Sequence, residues 1–308
     1  MPESYYDVII LGGGPAGLTA GLYAARARLH ALLIEAGLLG GQMTVTEVIE
    51  NYPGFPEGIT GDQLSRWMEE QARRFGLEIV SQEVREVKVD RGLKFVRADE
   101  STYECKAVIV CTGAEYRKLG VPGEAEFTGK GVSYCATCDA AFFRDSRIAV
   151  IGGGDSALTE ALFLTKFVKE LTIIHRRDAL RATKIYQERA FASPKIKFLW
   201  SSTVHEIKGD QVVRSVLVKN LKTSEITEHL FEGVFMFVGL TPRTQFLKGM
   251  VEVDPGGYII TNMAGETSVP GIFAAGDCTK KLLRQVATAV GEGATAAFSA
   301  EKYLEESE

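Results

Sequence analysis

The same glycine-rich pattern occurs twice in this 308-residue chain, 140 residues apart. In each copy a short apolar run leads into the glycines and a helical pattern follows: the first copy is Gly12-Gly13-Gly14-Pro15-Ala16-Gly17, and the second is Gly152-Gly153-Gly154-Asp155-Ser156-Ala157. A strand, a tight glycine turn and a helix in this order form the phosphate-binding start of a βαβ dinucleotide site. The duplication therefore predicts an α/β protein with two such units.

Composition and charge narrow the class of protein further. The chain is 45% hydrophobic and 24% charged, which is typical of a globular protein with room for two domains. Its net charge of −5 provides no general attraction to nucleic acid or to an anionic membrane. The N-terminal residues lack a signal-peptide pattern, and no run approaches the roughly 18 apolar residues of a membrane span. We therefore expect a soluble cytoplasmic protein.

The two copies differ at the residue that lies 23 positions after their first glycine. Glu35 ends the second apolar run of the first copy, where an acid binds both ribose hydroxyls of an adenosine. His175 stands at that position in the second copy, and Arg176, Arg177 and Arg181 follow it, which suits a 2′-phosphate. The difference predicts FAD in the first unit and NADPH in the second. A glycine turn without ligand and a solvated basic cluster are the alternatives.

A C-x-x-C pair, Cys135 and Cys138, lies just before the second glycine pattern and is followed by Asp139. Such a pair can be a redox disulfide, half of a zinc site or a packing coincidence. A zinc site needs about four ligands, and no second C-x-x-C or nearby C/H pair accompanies this one. The other three cysteines lie in or beside apolar runs, where we expect inert packing residues: Cys105, Cys111 and Cys278.

Periodicity suggests the remaining elements. Residues 37–61 are expected to form a loop over the ligand, or else an ordinary surface excursion. We expect helices over 62–75 and about 286–304, and central strands over 107–111, before Thr112-Gly113, and 233–239. Alternating runs predict small antiparallel meanders over 78–90 with 93–98, and over 196–199, 212–218 and 226–230. Short strands are also expected at 258–260 and 272–275.

Taken in order, these motifs resemble the low-molecular-weight thioredoxin reductases, a group of pyridine nucleotide-disulfide oxidoreductases. The resemblance covers essentially the whole chain and rests on both glycine patterns, Gly40-Gly41-Gln42, Glu50-Asn51-Tyr52-Pro53-Gly54, Cys135 to Asp139, His175-Arg176-Arg177-Asp178, Gly276-Asp277 and Arg284-Gln285. Two positions depart from the family pattern, Ala140 in place of a frequent Gly and Thr159 in place of a frequent acid, and neither removes a reacting group.

The resemblance implies two Rossmann-like domains of the three-layer ββα type, the second inserted into the first. The FAD domain would comprise residues 1–117 and 245–308, and the NADPH domain residues 118–244. It also implies a homodimer. For FAD it implies Gly12, Gly14, Pro15, Ala16, Gly17, Glu35, Gly40, Gly41, Gln42, Asn51, the backbone near Val84, Gly113, Gly276, Asp277, Arg284, Gln285, Val286 and Ala287. For NADPH it implies Gly152, Gly154, Asp155, Ser156, Ala157, His175, Arg176, Arg177 and Arg181.

The function implied is transfer of electrons from NADPH through the flavin and a Cys135–Cys138 disulfide to thioredoxin or a thioredoxin-like protein, without a metal. Asp139 is the candidate general acid, and a turn or capping Asp is the alternative. Because one inserted domain carries both the cysteines and the NADPH site, hinges are expected near Arg117 and Thr241–Gln245. A flavin dithiol oxidase, a ferredoxin-driven reductase and a non-enzymatic nucleotide sensor are the alternative functions.

Overall fold

The structure is a computed structural model that describes residues 4–306 except positions 45, 47, 50, 135 and 248, with the backbone alone at 4, 137 and 138. The strands are β1 Ser4–Leu11, β2 Ala31–Glu35, β3 Glu78–Ser81, β4 Val84–Asp90, β5 Leu93–Ala98, β6 Ser101–Val110, β7 Ala114–Tyr116, β8 Val132–Ser133, β9 Arg147–Ile151, β10 Glu170–Ile174, β11 Ile196–Leu199, β12 Ser202–Gly209, β13 Val213–Asn220, β14 Ile226–Leu230, β15 Gly233–Met236, β16 Leu240–Pro242 and β17 Ile272–Ala274. The helices are α1 Pro15–Arg26, α2 Gly61–Arg74, α3 Ala136–Asp139, α4 Asp155–Leu164, α5 Lys184–Ala192 and α6 Val286–Glu306. Across the described residues, none of these helices has the length and apolar character needed to span a membrane.

The chain divides into two compact units. Unit 1 comprises residues 1–115 and 241–308, and unit 2 comprises residues 116–240 between them. The division falls two and four residues from the boundaries expected at 117 and 244. The two crossing segments contain β7 and β16, which pair with each other. The hinge expected at these crossings stays a prediction.

Unit 1 contains a parallel sheet in the order β3-β2-β1-β6-β17, and the β4–β5 hairpin continues antiparallel beside the first half of β6. The expectation of a meander over residues 78–98 was wrong for its first strand. Residues 78–81 form β3, which pairs in parallel with β2 and places Ser81 opposite Glu35. An edge strand of a parallel sheet is covered on fewer sides, so its alternating pattern looks like that of an antiparallel strand.

The faces of this sheet bury alternate residues of the same strands, as a three-layer arrangement requires. One face, which includes Val8, Ile10 and Leu33, packs against helices α1, α2 and α6. The opposite face, which includes Ile9 and Leu32, packs in a second cluster with residues of the hairpin. The central strands are thus apolar on both sides, which explains their unbroken apolar runs in the sequence.

Unit 2 repeats this plan with a parallel sheet in the order β11-β10-β9-β15-β8 and a separate antiparallel sheet, β12-β13-β14. The meander therefore begins at Ser202 rather than at Ile196, because β11 belongs to the parallel sheet. No strand was predicted at β12, whose residues are largely polar. The strand expected at 258–260 is also wrong, since Ile259 makes only isolated bridges to Val253 and Thr279.

Helices α1 and α6 of unit 1 cross closely because α6 carries a glycine at the contact. A Cβ atom on Gly293 would lie 2.2 Å from the carbonyl oxygen of Ala16, inside the first turn of α1. Gly291 lies on the same helix, and a Cβ atom there would meet nothing within 4 Å. The backbone of α6 thereby reaches the glycine turn that precedes α1.

This pair of glycines gives a matched test of the helix crossing. We expect Gly293→Ala to destabilise the protein by about 1–3 kcal/mol, because the methyl group forces two backbones apart. Gly291→Ala should stabilise it by up to about 1 kcal/mol, since alanine loses less entropy in a helix. Thermal unfolding followed by circular dichroism measures both. Equal midpoints for the two variants would contradict the close crossing.

Candidate active site

The first glycine turn is built by backbone contacts that no side chain would permit. Gly12 has φ +106°, and a Cβ atom on it would lie 2.4 Å from the carbonyl oxygen of Cys111. A Cβ atom on Gly17 would lie 1.8 Å from the carbonyl oxygen of Gly12. At Gly14, in contrast, a Cβ atom would meet nothing within 4 Å. The turn is therefore closed on the protein side and open at Gly14, beside the N-terminus of α1.

Glu35 closes one end of this turn. Its two carboxylate oxygens accept hydrogen bonds from the backbone N–H groups of Gly13, at 2.6 Å, and Gly37, at 2.8 Å. Its backbone oxygen accepts from the N–H of Gln82 at 3.1 Å, two residues before Val84 begins β4. Glu35, which is predicted to bind the ribose, and the backbone near Val84, which is predicted to contact adenine, thus lie at the same edge of unit 1.

The loop after β2 brings further predicted residues to the turn. The N–H of Gly40 donates to the Gly13 carbonyl at 2.7 Å, and the position of a Cβ atom on Gly41 is 3.5 Å from Gly14 Cα. Gln42 Nε2 donates to the carbonyl of Ala114 at 3.4 Å. The loop between 37 and 61 was expected to lie over the ligand, and this part of it lies along the glycine turn. Glu50, part of the resemblance, falls outside the described residues.

Residues more than 200 positions apart also meet in unit 1. Asn51 Nδ2 donates to Gln285 Oε1 at 2.8 Å, which joins the early loop to the residue before α6. Val286 and Ala287 then form the start of that helix. Gly113 has φ +65° and open space where a Cβ atom would lie.

The segment between β17 and α6 contains two buried polar atoms that bear on ligand binding. Asp277 Oδ1 and Arg284 Nε are buried, and neither has a hydrogen-bond partner among the described residues. The Arg284 guanidinium lies 4.1 Å from the centroid of the Tyr258 ring. Burial raises the pKa of Asp277, while Lys281 and Arg284 lower it. Buried polar atoms normally have partners, so two orphans beside the open glycine turn fit the polar chain of FAD.

Sequence reasoning missed two charged residues at the turn after β17, one within it and one on α6. Lys281 forms an ion pair with Glu292 of α6, and its Nζ atom lies 4.0 Å from Asp277 Oδ1. Glu292 also accepts a hydrogen bond from the N–H of Gly276 at 2.8 Å. Lys281 follows Gly276-Asp277 by four residues, but nothing in its local pattern indicates that it faces inward.

Unit 2 holds a cavity of about 240 Å³ at its own glycine turn. Predicted residues that line it are Gly152, Gly154, Asp155, Ser156, Ala157, His175, Arg176 and Arg181. Sequence reasoning missed other lining residues, among them Tyr116, Leu119, Ser202, Thr203 and residues 237–240. The last group follows β15, and ligands of parallel sheets bind beyond the carboxyl ends of the strands, which was the available signal.

Asp155 links the glycine turn of unit 2 by hydrogen bonds to the segment that carries Arg181. Its Oδ1 atom accepts hydrogen bonds from the backbone N–H of Thr183 at 2.6 Å and from the Thr183 hydroxyl at 2.7 Å. The N–H of Arg181 donates to the Gly153 carbonyl at 2.8 Å. The arginine is therefore held at the cavity by its own backbone. Arg177 is exposed and is not among the residues that line the cavity.

His175 lies beneath the turn and is only 4% exposed. Its Nε2 atom is 3.1 Å from the Ala179 carbonyl oxygen, and a Cβ atom on Gly153 would lie 2.4 Å from the imidazole ring. Burial lowers the pKa of His175, and the nearby arginines lower it further, although the Ala179 carbonyl opposes them. The imidazole is therefore neutral near pH 7, and the positive charge at the cavity comes from Arg176 and Arg181.

The segment around the cysteine pair is described in part. Cys135 falls outside the described residues, and the backbone of Cys138 lies within α3. Asp139 ends α3, and as the N-cap of the following 3-10 turn its side chain makes no capping hydrogen bond. Its role as general acid, or as a turn or capping residue, stays a prediction. Just before the pair, Tyr134 donates a hydrogen bond to Glu124 at 2.8 Å.

The other cysteines are buried thiols. Cys105, Cys111 and Cys278 are free in the structure and each is at most 4% exposed. Burial raises the pKa of Cys105 to about 12 and that of Cys278 to about 11, and it raises the pKa of Cys111 as well. Thiols that stay protonated are poor nucleophiles, in agreement with the expected packing role.

Comparison with known proteins defines the class. The family model of the pyridine nucleotide-disulphide oxidoreductases matches residues 6–293. A thioredoxin reductase of Peptoclostridium acidaminophilum is 49% identical, over 98% of this chain and 98% of its own. The crystal structure of Lactococcus lactis thioredoxin reductase in its FR conformation has a TM-score of 0.94 at 49% identity and covers 98% and 99% of the two chains. That of T. acidophilum thioredoxin reductase has a TM-score of 0.90 at 37% identity, with 97% and 98% covered.

The chain belongs to the pyridine nucleotide-disulphide oxidoreductase family. Within it, the curated relatives at 47–49% identity over nearly the whole chain are thioredoxin reductases, which confirms the predicted fold, enzyme class and function. The prediction of FAD and NADPH as the cofactor and coenzyme is confirmed with them. Which residues hold each of them stays a prediction.

The buried imidazole predicts a pH dependence of stability. An unfolded histidine has a pKa of about 6.5, and the folded value of His175 is lower, so only the unfolded chain gains the proton as pH first falls. Any stability that wild type has over His175→Gln should therefore shrink as pH falls from 8 to below about 6.5. Thermal midpoints across this range measure it. The exposed His205 provides the control variant, His205→Gln, and parallel curves for wild type and His175→Gln would contradict the burial.

Proposed function

We propose that this thioredoxin reductase binds FAD at the glycine turn of unit 1 and NADPH at the cavity of unit 2, with Cys135 and Cys138 as its redox pair. The observation that most supports the first assignment is the convergence of distant residues. Asn51 reaches Gln285, Glu35 reaches Gly13, and the orphaned oxygen of Asp277 lies in the turn against α1. No packing requirement explains that orphan, whereas a polar ligand does.

FAD, when bound, supplies a two-electron relay between a hydride donor and a disulfide. The chain would hold its pyrophosphate at the N-terminus of α1, where Gly14 leaves room and the free N–H groups attract anions. Glu35 keeps acceptor capacity for ribose hydroxyls beside the two N–H groups that it already binds. Asp277 and Arg284 would satisfy their orphaned atoms on the ribityl and ring groups.

At the second site Arg176 and Arg181 would bind the 2′-phosphate of NADPH, and the α4 N-terminus would bind its pyrophosphate. The neutral, buried His175 supports the turn from below rather than adding charge. Phosphate preference then depends on guanidinium groups that stay charged at any physiological pH.

The chemistry at the cysteines balances as a thiol–disulfide exchange. A thiolate of the reduced pair attacks the disulfide of thioredoxin and forms a mixed disulfide, and the second cysteine then attacks that bond. The pair leaves oxidised, and thioredoxin leaves as the dithiol. Asp139, next to Cys138, would protonate a departing thiolate.

The proposal extends to assembly and location. A homodimer is inferred from the family resemblance. A cytoplasmic enzyme is consistent with three thiols that remain unpaired in the described part of the chain. Sedimentation of the purified holoenzyme measures the oligomeric state. A single species at the 33.6 kDa mass of one chain would contradict the homodimer.

The NADPH assignment predicts a change confined to the coenzyme that carries a phosphate. Arg181→Ala should raise the KM for NADPH by about ten- to a hundredfold, as expected for a lost charged contact, and leave that for NADH nearly unchanged. Steady-state kinetics with both coenzymes measure the ratio. Arg189 is exposed on α5 away from the cavity, so Arg189→Ala is the matched control. Equal rises for NADPH and NADH would contradict the assignment.

The redox assignment predicts that the two half-reactions separate. Cys138→Ser should lower NADPH-dependent thioredoxin reduction by on the order of 10³-fold or more, because exchange needs both sulfurs. Anaerobic NADPH should still bleach the flavin absorbance of this variant. Cys105→Ala, which removes a buried thiol of unit 1, should retain turnover. Thioredoxin reduction by Cys138→Ser at the wild-type rate would contradict the assignment.

A further inference from the structure

A partly buried ion pair joins the turn after β17 to helix α6 in unit 1. Lys281 lies in the turn and its side chain is only 8% exposed, and its Nζ atom contacts Glu292 Oε2. Neither residue belongs to the set that the resemblance assigns to FAD. Burying the ammonium group of a lysine costs free energy of folding, so a nearly buried Lys281 indicates a specific role for its charge.

Glu292 binds a backbone group as well as Lys281. The same Oε2 atom accepts the backbone N–H of Gly276 at 2.8 Å. Gly276 has φ +81°, and a Cβ atom on it would lie 2.9 Å from the Cβ atom of Ala16 in α1. The carboxylate therefore ties α6 to a turn that is pressed against the first turn of α1.

Lys281 also faces the carboxylate of Asp277, at 4.0 Å between Nζ and Oδ1. That distance is too long for a hydrogen bond, which leaves Oδ1 buried and without a partner among the described residues. The ammonium group thus lies between two carboxylates and offsets their mutual repulsion. Burial raises the pKa of Asp277 and Glu292 adds to that rise, while Lys281 and Arg284 oppose it.

We propose that Lys281 and Glu292 are positioning residues of the FAD site, which hold the Gly276–Asp277 turn against α1 and keep the Asp277 carboxylate charged and free for the cofactor. The inference rests on the proposed placement of FAD at Asp277. The lysine acts through charge and the glutamate through the Gly276 contact, so the two roles separate in variants.

The charge role makes a prediction that a merely structural ion pair does not. Lys281→Met leaves the partly exposed Asp277 and Glu292 carboxylates without the ammonium group that lies between them, so FAD affinity should fall by about tenfold or more. Adding Glu292→Gln removes one of those charges and retains an amide oxygen for the Gly276 N–H. The double variant should therefore bind FAD within about threefold of wild type, more tightly than Lys281→Met alone.

The experiment measures the Kd of FAD for the apoprotein, prepared by removal of the flavin, from the change in flavin fluorescence. The variants are Lys281→Met, Lys281→Arg, Glu292→Gln and the double substitution Lys281→Met with Glu292→Gln. Lys280 is the exposed neighbour, so Lys280→Met is the matched control and should bind as wild type does. Lys281→Arg keeps the charge and should stay within about threefold, which also covers the case that Lys281→Met fails to fold.

Recovery of affinity in the double variant, with thermal midpoints of the apoproteins close together, would support the proposal. FAD binding by Lys281→Met within about twofold of wild type would overturn it, as would a double variant weaker than either single one. Asp277→Asn distinguishes a failure of the FAD placement at Asp277 from a failure of the positioning role. If that variant binds FAD as wild type does, the placement of FAD at Asp277 fails; if it binds weakly while Lys281→Met does not, the positioning role alone fails.

Discussion

The close approach of backbones around Ala16 is the constraint on which unit 1 depends. Two chain segments meet the first turn of α1 there, and each does so with a glycine: Gly276 comes from the end of β17, and Gly293 comes from α6. Neither approach leaves room for a side chain, and in the turn before α1 Gly12 is packed as closely against the carbonyl of Cys111. Because these segments touch α1, the Asp277 and Glu292 that they carry lie near its N-terminus, where Glu35 of β2 binds the N–H of Gly13. The site is therefore a consequence of packing as much as of polar chemistry.

Unit 2 uses the same backbone plan for a different charge. Its glycine turn, parallel sheet and antiparallel sheet repeat those of unit 1, yet the residue at the end of the second strand is His175 rather than Glu35. The acid stays at the open edge and binds backbone N–H groups, whereas the imidazole is buried under Gly153. The positive charge at the cavity of unit 2 comes instead from arginines after that strand, Arg176 and Arg181. The two units thus share one scaffold and differ in the charge of the side chains at a strand end, where we propose that nucleotide selectivity lies.

Much of this was accessible from sequence because it depends on local patterns. The apolar runs of β1, β2, β9 and β10 and the glycine turns after them predict both units and the N-terminus of each phosphate-binding helix. The errors fell where an element's character depends on its neighbours: β3 alternates like an antiparallel strand but pairs in parallel, and β12 is too polar to signal a strand. Local pattern carries no information on which sheet a short strand will join.

By itself, the sequence determined the class of protein and its two nucleotides and predicted its redox pair, because each depends on residue types at fixed spacing within one turn or strand. Only the tertiary structure decided which charges act together. Lys281, Glu292 and Asp277 form one cluster because β17 and α6 place them around the same turn, and no short-range pattern links position 281 to 292. Likewise, burial decided that His175 is neutral, since the pKa of an imidazole depends on what surrounds it in space rather than on its neighbours in the chain.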